Sequence, residues 1–215
     1  MSAAPTISGE DVRIGPGRLV LVVGPSGAGK DTLLTIARTA CATDREIVFA
    51  RRIVTREASP SEDNHEIDHD SFQSALARGQ LAVHWEAHGH RYALPRSIDD
   101  EIRAGRVVVA NVSRMVVDAM RRVYVDVVVI EITAPPDVLA HRLAMRRRDS
   151  DGALELRLRR SAEVATVTAD VTIVNVGDVE THARRLIALI KGDAHDRPRK
   201  TEERNDVDHR DDRTA

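Results

Sequence analysis

The chain has 215 residues, 42% of them apolar and only 2% aromatic, which predicts one domain with a core of Val, Ile, Leu and Ala. Its 32 basic and 34 acidic side chains leave a net charge of -2, so no global basic excess argues for a nucleic-acid or anionic-membrane partner. The single cysteine, Cys41, excludes an internal disulfide and a cysteine zinc site and suits a reducing compartment. The N-terminus lacks the basic stretch and long apolar run of a secretory signal, and Leu19 to Val23 is too short to cross a bilayer. A soluble cytoplasmic protein is expected; a homodimer is one admissible assembly.

Residues 1–16 carry Pro, Gly and Ser without a period and read as a flexible leader. Between the ends, strands and helices alternate. Arg18–Val23 is predicted as a buried strand, Lys30–Cys41 as a helix, Glu46–Val54 as a strand and Ser71–Gly79 as a helix. Leu81–Glu86 and Arg91–Leu94 flank a turn at Gly89, as in a hairpin. Pro95–Ala104 is predicted as a helix with proline in its first turn. Arg106–Asn111 is nearly pure valine, as parallel buried strands tend to be. A helix over Ser113–Arg122 capped by Ser113 follows, then a strand over Asp126–Thr133. Pro135–Arg148 and Ala153–Thr168 read as helices around a break at Asp149–Gly152, Val171–Asn175 as a strand and Val179–Lys191 as a helix. The rhythm predicts an α/β domain with a mostly parallel sheet and helices on both faces, over residues 17–192. Residues 193–215 are almost all charged or polar and read as a disordered tail, because they cannot bury enough apolar surface to offset their ordering entropy.

Gly24-Pro25-Ser26-Gly27-Ala28-Gly29-Lys30 follows a buried strand and opens a helix, the context a phosphate-binding P-loop requires. Glycines let the backbone fold tightly with N–H groups facing inward as an anion nest, and the helix N-terminus adds partial positive charge. Lys30 then reaches the β and γ phosphates of ATP. The usual pattern places Ser or Thr directly after the lysine, where its hydroxyl meets Mg²⁺; here Asp31 stands there and Thr32 follows. Two readings stay open. Either Thr32 supplies the hydroxyl from one position later, or Asp31 contacts the metal's water shell or the acceptor. As a plain first-turn residue, Asp31 would complement the helix dipole.

Phosphoryl transfer needs positioning and positive charge more than covalent help. Three basic clusters are candidates to supply it. In Arg51-Arg52-Ile53-Val54-Thr55-Arg56, strand alternation puts Arg52, Val54 and Arg56 on one face, at a strand end where α/β sheets bind ligands. Asn111-Val112-Ser113-Arg114 lies at a second strand end. Arg146-Arg147-Arg148 and Arg157, Arg159 and Arg160 flank the polar break and suggest a lid that brings Arg146, Arg148 and Arg157 to the transferring phosphoryl. His84 beside Trp85, and His65 in the acidic stretch Ser61–Asp70, are candidates for an acceptor pocket. The spacing of His84, His88 and His90 matches no zinc pattern.

Together these pieces resemble the guanylate kinase fold over roughly residues 17–191. Within it they resemble more closely the ribose 1,5-bisphosphate phosphokinases of phosphonate catabolism. The matching pieces are the loop with its Gly-Lys-Asp ending at Asp31, Phe49 to Arg56, His84-Trp85-Glu86-Ala87-His88-Gly89 with Tyr92, and Asn111 to Arg114. The resemblance implies an ATP-dependent, Mg²⁺-requiring kinase that converts ribose 1,5-bisphosphate to 5-phosphoribosyl 1-diphosphate (PRPP). It also implies an acceptor-binding insertion at about 52–96 and an arginine lid at about 146–160. Gly24 to Thr32 would hold ATP, and Arg52, Arg56, His65, His84, Tyr92, Asn111, Ser113 and Arg114 the acceptor. Guanylate kinases usually carry a second arginine where Ser59 stands, Glu-Trp where His84-Trp85 stands and aspartate where Asn111 stands. A site without those base-reading carboxylates should bind GMP poorly, because guanine's donors lose their acceptors. The other readings are a guanylate or other nucleoside monophosphate kinase, and a catalytically inactive guanylate-kinase-like binding module. The latter typically lacks the loop lysine, which is present here.

Overall fold

A computed structural model describes residues 13–56, 63–87, 89–145 and 168–192. Five strands form an all-parallel sheet in the order β2-β7-β1-β8-β9: β1 (Ile14–Val23), β2 (Ile47–Phe49), β7 (Val107–Asn111), β8 (Tyr124–Thr133) and β9 (Val171–Val174). A smaller sheet has the order β4-β3-β6-β5, with β3 (Arg52–Val54), β4 (Asn64–Glu66), β5 (Leu81–Ala87) and β6 (His90–Pro95). The described helices are α1 (Lys30–Ala40), α2 (His69–Ala77), α3 (Ser97–Arg103), α4 (Val117–Val123), α5 (Pro136–Met145) and α6 (Val179–Lys191).

Alternation along the central strands sends apolar side chains to both faces, so both faces must be covered. Val20, Val22, Ile130, Ile132 and Ile173 pack with Leu33 and Ala37 of α1 and Leu186 and Ile190 of α6. On the opposite face, Leu19, Leu21, Val108 and Val129 pack with Ile98 and Ile102 of α3, Met120 of α4, and Val54, Trp85, Tyr92 and Leu94 of the small sheet. The small sheet therefore has an inner face toward the main sheet. Its outer face carries Phe72 of α2 with Ala93 and Ile53.

Several predicted boundaries change. Glu46–Val54 is two strands, not one: β2 is an edge of the main sheet, and after Ala50 and Arg51 the chain enters the small sheet as β3. The stretch Ser61–Asp70 contains β4, and Asp68 caps α2 by accepting from the Ser71 amide at 2.6 Å. Pro95 closes β6 rather than opening α3; its missing N–H is harmless where the ladder ends. Ser113 caps a 3₁₀ turn, Arg114–Val116, with α4 beginning only at Val117. β1 starts at Ile14, inside the stretch read as leader, because Ile14 pairs with Tyr124 beyond a register shift. The predicted helix Ala153–Thr168 and the arginine lid lie outside the described residues except for Thr168, and so does the charged tail.

Opposite the phosphate-loop end of the sheet, the Tyr124 hydroxyl donates to Asp99 Oδ1 at 2.6 Å, with both residues buried. Burial, then the Asp99 carboxylate, pushes the Tyr124 phenol far above its ordinary pKa, so it stays a donor. Tyr124→Phe leaves that carboxylate short of a partner and is expected to cost about 1–3 kcal/mol, read as a lower urea midpoint with an unchanged m-value.

Candidate active site

The loop between β1 and α1 is shaped by glycine. Gly24 has φ 139° and Gly29 has φ 88°. A Cβ on Gly24 would lie 1.9 Å from the Ile132 carbonyl oxygen of β8, and one on Gly29 would lie 2.3 Å from Asn175 Nδ2. Asn175, just after β9 and only 5% exposed, donates through Nδ2 to the Ala28 carbonyl at 2.8 Å. Arg142 of α5 donates to the Asn175 carbonyl at 3.0 Å and to the Gly27 carbonyl at 3.5 Å. The loop is thus braced from behind by two side chains far away in sequence. Lys30 Nζ donates to the carbonyls of Gly24 and Pro25, each at 2.9 Å, which holds the ammonium across the loop. A backbone nest, a helix N-terminus and a spanning ammonium can together hold a polyphosphate.

Beside the loop lies a cleft between α1, the end of β7 and the small sheet, lined by Asp31, Arg38, Phe49, Arg52, Asn64 and Asn111 among others. Asn111 Nδ2 donates to Asp31 Oδ1 at 3.0 Å, and Arg52 Nη2 stands 3.9 Å from the same oxygen. Arg52 Nε donates to Asn64 Oδ1 at 3.1 Å; Arg52 and Asn64 are direct partners in the β3–β4 register. Asp63 pairs with Arg38 of α1 and, at 2.7 Å, with Arg51, which ties the small sheet to the helix that follows the loop.

Arg56 Nε donates to the Tyr92 hydroxyl at 3.2 Å, with its guanidinium 5.9 Å from the ring centroid. Tyr92 stacks in turn on Trp85, centroids 5.7 Å apart and planes at 10°. Arg114 pairs with Glu131 of β8 at 3.0 Å, while its buried Nε has no hydrogen-bond partner among the described residues. The Ser113 hydroxyl accepts from the Met115 amide at 3.3 Å and acts as a cap.

The structure brings together Lys30, Asp31, Arg52 and Asn111, with Arg56 and Tyr92 on the same inner face of the small sheet. It does not bring in His65 or His84. His65 pairs with Ile53 and His84 with Ala93, both on the outer face, and His84 meets Phe72 edge-on at 6.5 Å. The β4 side chain on the cleft side is Asn64, one residue before the histidine singled out in the sequence. Ser26 and Thr32 are exposed at the loop and the first turn of α1. Arg146, Arg148 and Arg157 lie outside the described residues. Asn64, Glu131, Arg142 and Asn175 escaped the sequence reading; no local motif marks them, and only the register and the crossovers place them here.

A parallel sheet whose first strand feeds a glycine loop and a lysine-bearing helix, with a small sheet roofing a polar cleft that carries Arg38 and Arg52 beside Asp31 and Asp63, defines a P-loop kinase of the guanylate kinase fold. A solved guanylate kinase from Anaplasma phagocytophilum shares this fold, with a TM-score of 0.59, 22% identity and coverage of 88% of this chain and 89% of that one. No family model matches the chain. Proteins named ribose 1,5-bisphosphate phosphokinase PhnN are much nearer in sequence. The one from Bradyrhizobium diazoefficiens is 57% identical over 195 residues, covering 90% of this chain and 98% of that protein. The one from Rhodopseudomonas palustris is 60% identical over 185 residues, covering 86% and 92%. The chain belongs to the ribose 1,5-bisphosphate phosphokinase family, as the sequence motifs implied.

Proposed function

We propose that this chain transfers the γ-phosphoryl group of ATP to the C1 phosphate of ribose 1,5-bisphosphate, giving PRPP and ADP. A C1 phosphate oxygen forms the new bond to the γ-phosphorus, and the bond from that phosphorus to the β,γ-bridging oxygen breaks. The acceptor oxygen is already anionic at neutral pH, so no general base is required. The work left to the protein is to bring anions together. The observation that carries the reading is the cleft itself. Cationic Arg52 stands 3.9 Å from Asp31 beside the loop that holds Lys30, Arg56 lies on the same inner face of the small sheet against Tyr92, and Asn111 presents an amide to the cleft, not a carboxylate.

In this reading, residues Gly24 to Thr32 hold ATP, with Lys30 on the β and γ phosphates. Arg52, Arg56 and Arg114 bind the acceptor's phosphates, supported by Tyr92 and Ser113. Each charge-assisted contact of this kind is worth about 1.5–3 kcal/mol. Arg146, Arg148 and Arg157 are assigned to a lid that neutralises the transferring phosphoryl. Mg²⁺ bound with ATP would supply charge neutralisation between the β and γ phosphates. Thr32, exposed in the first turn of α1, is assigned the oxygen donor to it, since Asp31 Oδ1 already faces the Asn111 amide and the Arg52 guanidinium. None of the described helices is long and apolar enough to cross a membrane, in keeping with a cytoplasmic enzyme of small-molecule metabolism.

The test is turnover of purified protein with ATP, Mg²⁺ and either ribose 1,5-bisphosphate or GMP, with the products identified by mass. PRPP formation with negligible GDP is the expected result. Robust GDP formation alone would make the chain a guanylate kinase, and binding of ATP without turnover of any acceptor would make it a binding module.

A further inference from the structure

Asp31 follows Lys30 at the start of α1 and lines the cleft assigned above to a doubly phosphorylated acceptor; Asp63, a second carboxylate of that cleft, is already paired with Arg38 and Arg51. A carboxylate repels phosphate, so it has no place against either phosphoryl group. One of the two Asp31 oxygens is closed to a cation. Asn111 Nδ2 donates to Oδ1 at 3.0 Å and Arg52 Nη2 stands 3.9 Å from it, so that side of the carboxylate is already met by positive and donor groups. These contacts fix the orientation of the group and leave Oδ2 without a hydrogen bond among the described residues. Arg52 is itself held by Asn64, so the carboxylate sits in a pre-set frame. An oriented carboxylate oxygen lining the cleft calls for neutral hydrogen-bond donors on the ligand. On a furanose bisphosphate these are the ring hydroxyls.

We propose that Asp31 reads the vicinal 2,3-diol of the acceptor ribose and is the residue that separates ribose from 2-deoxyribose bisphosphates. Asn111 is then a positioning residue: its amide turns the carboxylate toward the sugar. An amide and not a carboxylate at position 111 follows the same logic. An aspartate there would place two carboxylates within hydrogen-bonding distance, whereas an amide donates to Asp31. The proposal rests on the assignment of ribose 1,5-bisphosphate as acceptor and gives Asp31 a role toward the sugar instead of the metal.

The experiment compares ribose 1,5-bisphosphate with 2-deoxyribose 1,5-bisphosphate in wild type, D31N and D31S, with Mg²⁺ titrated in each. For wild type, kcat/KM should favour the ribose acceptor by about 10- to 150-fold, the loss of one charge-assisted hydrogen bond. D31N keeps an oxygen for Asn111 but loses the charge, and D31S removes the group. Both should raise KM for the ribose acceptor and compress the discrimination toward unity, with the half-saturating Mg²⁺ concentration unchanged. Wild-type enzyme that uses both acceptors equally overturns the proposal without needing any variant to fold. So does discrimination retained in the variants, or a variant whose main defect is a raised Mg²⁺ requirement. Failure of wild type to use ribose 1,5-bisphosphate at all would instead overturn the functional assignment, and this inference with it.

Discussion

Lys30→Ala is expected to lower kcat by about 10²–10³-fold, the usual loss when one preorganised charge is removed from a transition state. Lys30 bridges the carbonyls of Gly24 and Pro25, so the ammonium is held over the loop by two 2.9 Å bonds before ATP arrives. Little reorganisation is then needed when charge moves onto the β,γ-bridging oxygen. Asn175 and Arg142 brace the loop independently of the lysine's two bonds, so the fold should survive the substitution. Single-turnover kinetics at saturating ATP check the first point, and an unchanged thermal midpoint checks the second. A fall of less than threefold in kcat would show that the lysine is not a transition-state contact.

Gly24→Ala should do the opposite and damage the fold along with the activity. The residue sits at φ 139°, where L side chains are strained, and its Cβ would lie 1.9 Å from the Ile132 carbonyl oxygen of the adjacent strand. Neither group can yield: one belongs to the start of the loop and the other to β8, which is paired on both sides within the parallel sheet. The combined backbone strain and overpacking should exceed about 3 kcal/mol. For a domain of this size that lowers Tm by about 6–12 °C. Gly79→Ala is the matched control. It also has a positive φ, 65°, but nothing lies within 4 Å of its added Cβ. Its cost is confined to the left-handed backbone, about 1–2 kcal/mol. Equal melting temperatures for the two variants would contradict this account.

The main sheet was legible because its strands are short runs of Val, Ile and Leu, and because the glycine loop identifies the strand before it and the helix after it. The small sheet was much less so. Glu46 to Val54 looks like one strand because nothing in an alternating pattern announces that Ala50 and Arg51 carry the chain from one sheet to another. β4 spans only Asn64–Glu66 within a polar stretch, so its propensity is weak and its register against β3 supplies the order. That register decides which side chain reaches the cleft, and it selects Asn64 over His65. The same rule separates His84 from Trp85, which are neighbours in sequence but lie on opposite faces of β5. Asn175 and Arg142 were invisible for another reason: the sheet order, not local sequence, carries β9 and α5 to the back of the phosphate loop. Asn111 was legible because it ends β7, where an α/β sheet places its ligands, whereas Arg52 opens β3 and Arg56 follows it in the small sheet, so alternation along that strand and not the strand-end rule puts them on one face.

The stacked pair Trp85 and Tyr92 has a practical side. Trp85 is the one tryptophan of the chain, and its ring lies 5.7 Å from Tyr92, whose hydroxyl accepts from Arg56. An indole emits according to the fields and dipoles around it, and beyond Tyr92 here lies Arg56, assigned to the incoming sugar phosphate. The wild-type chain therefore carries a single, label-free optical probe two side chains away from that arginine, on the small sheet and not on the phosphate loop.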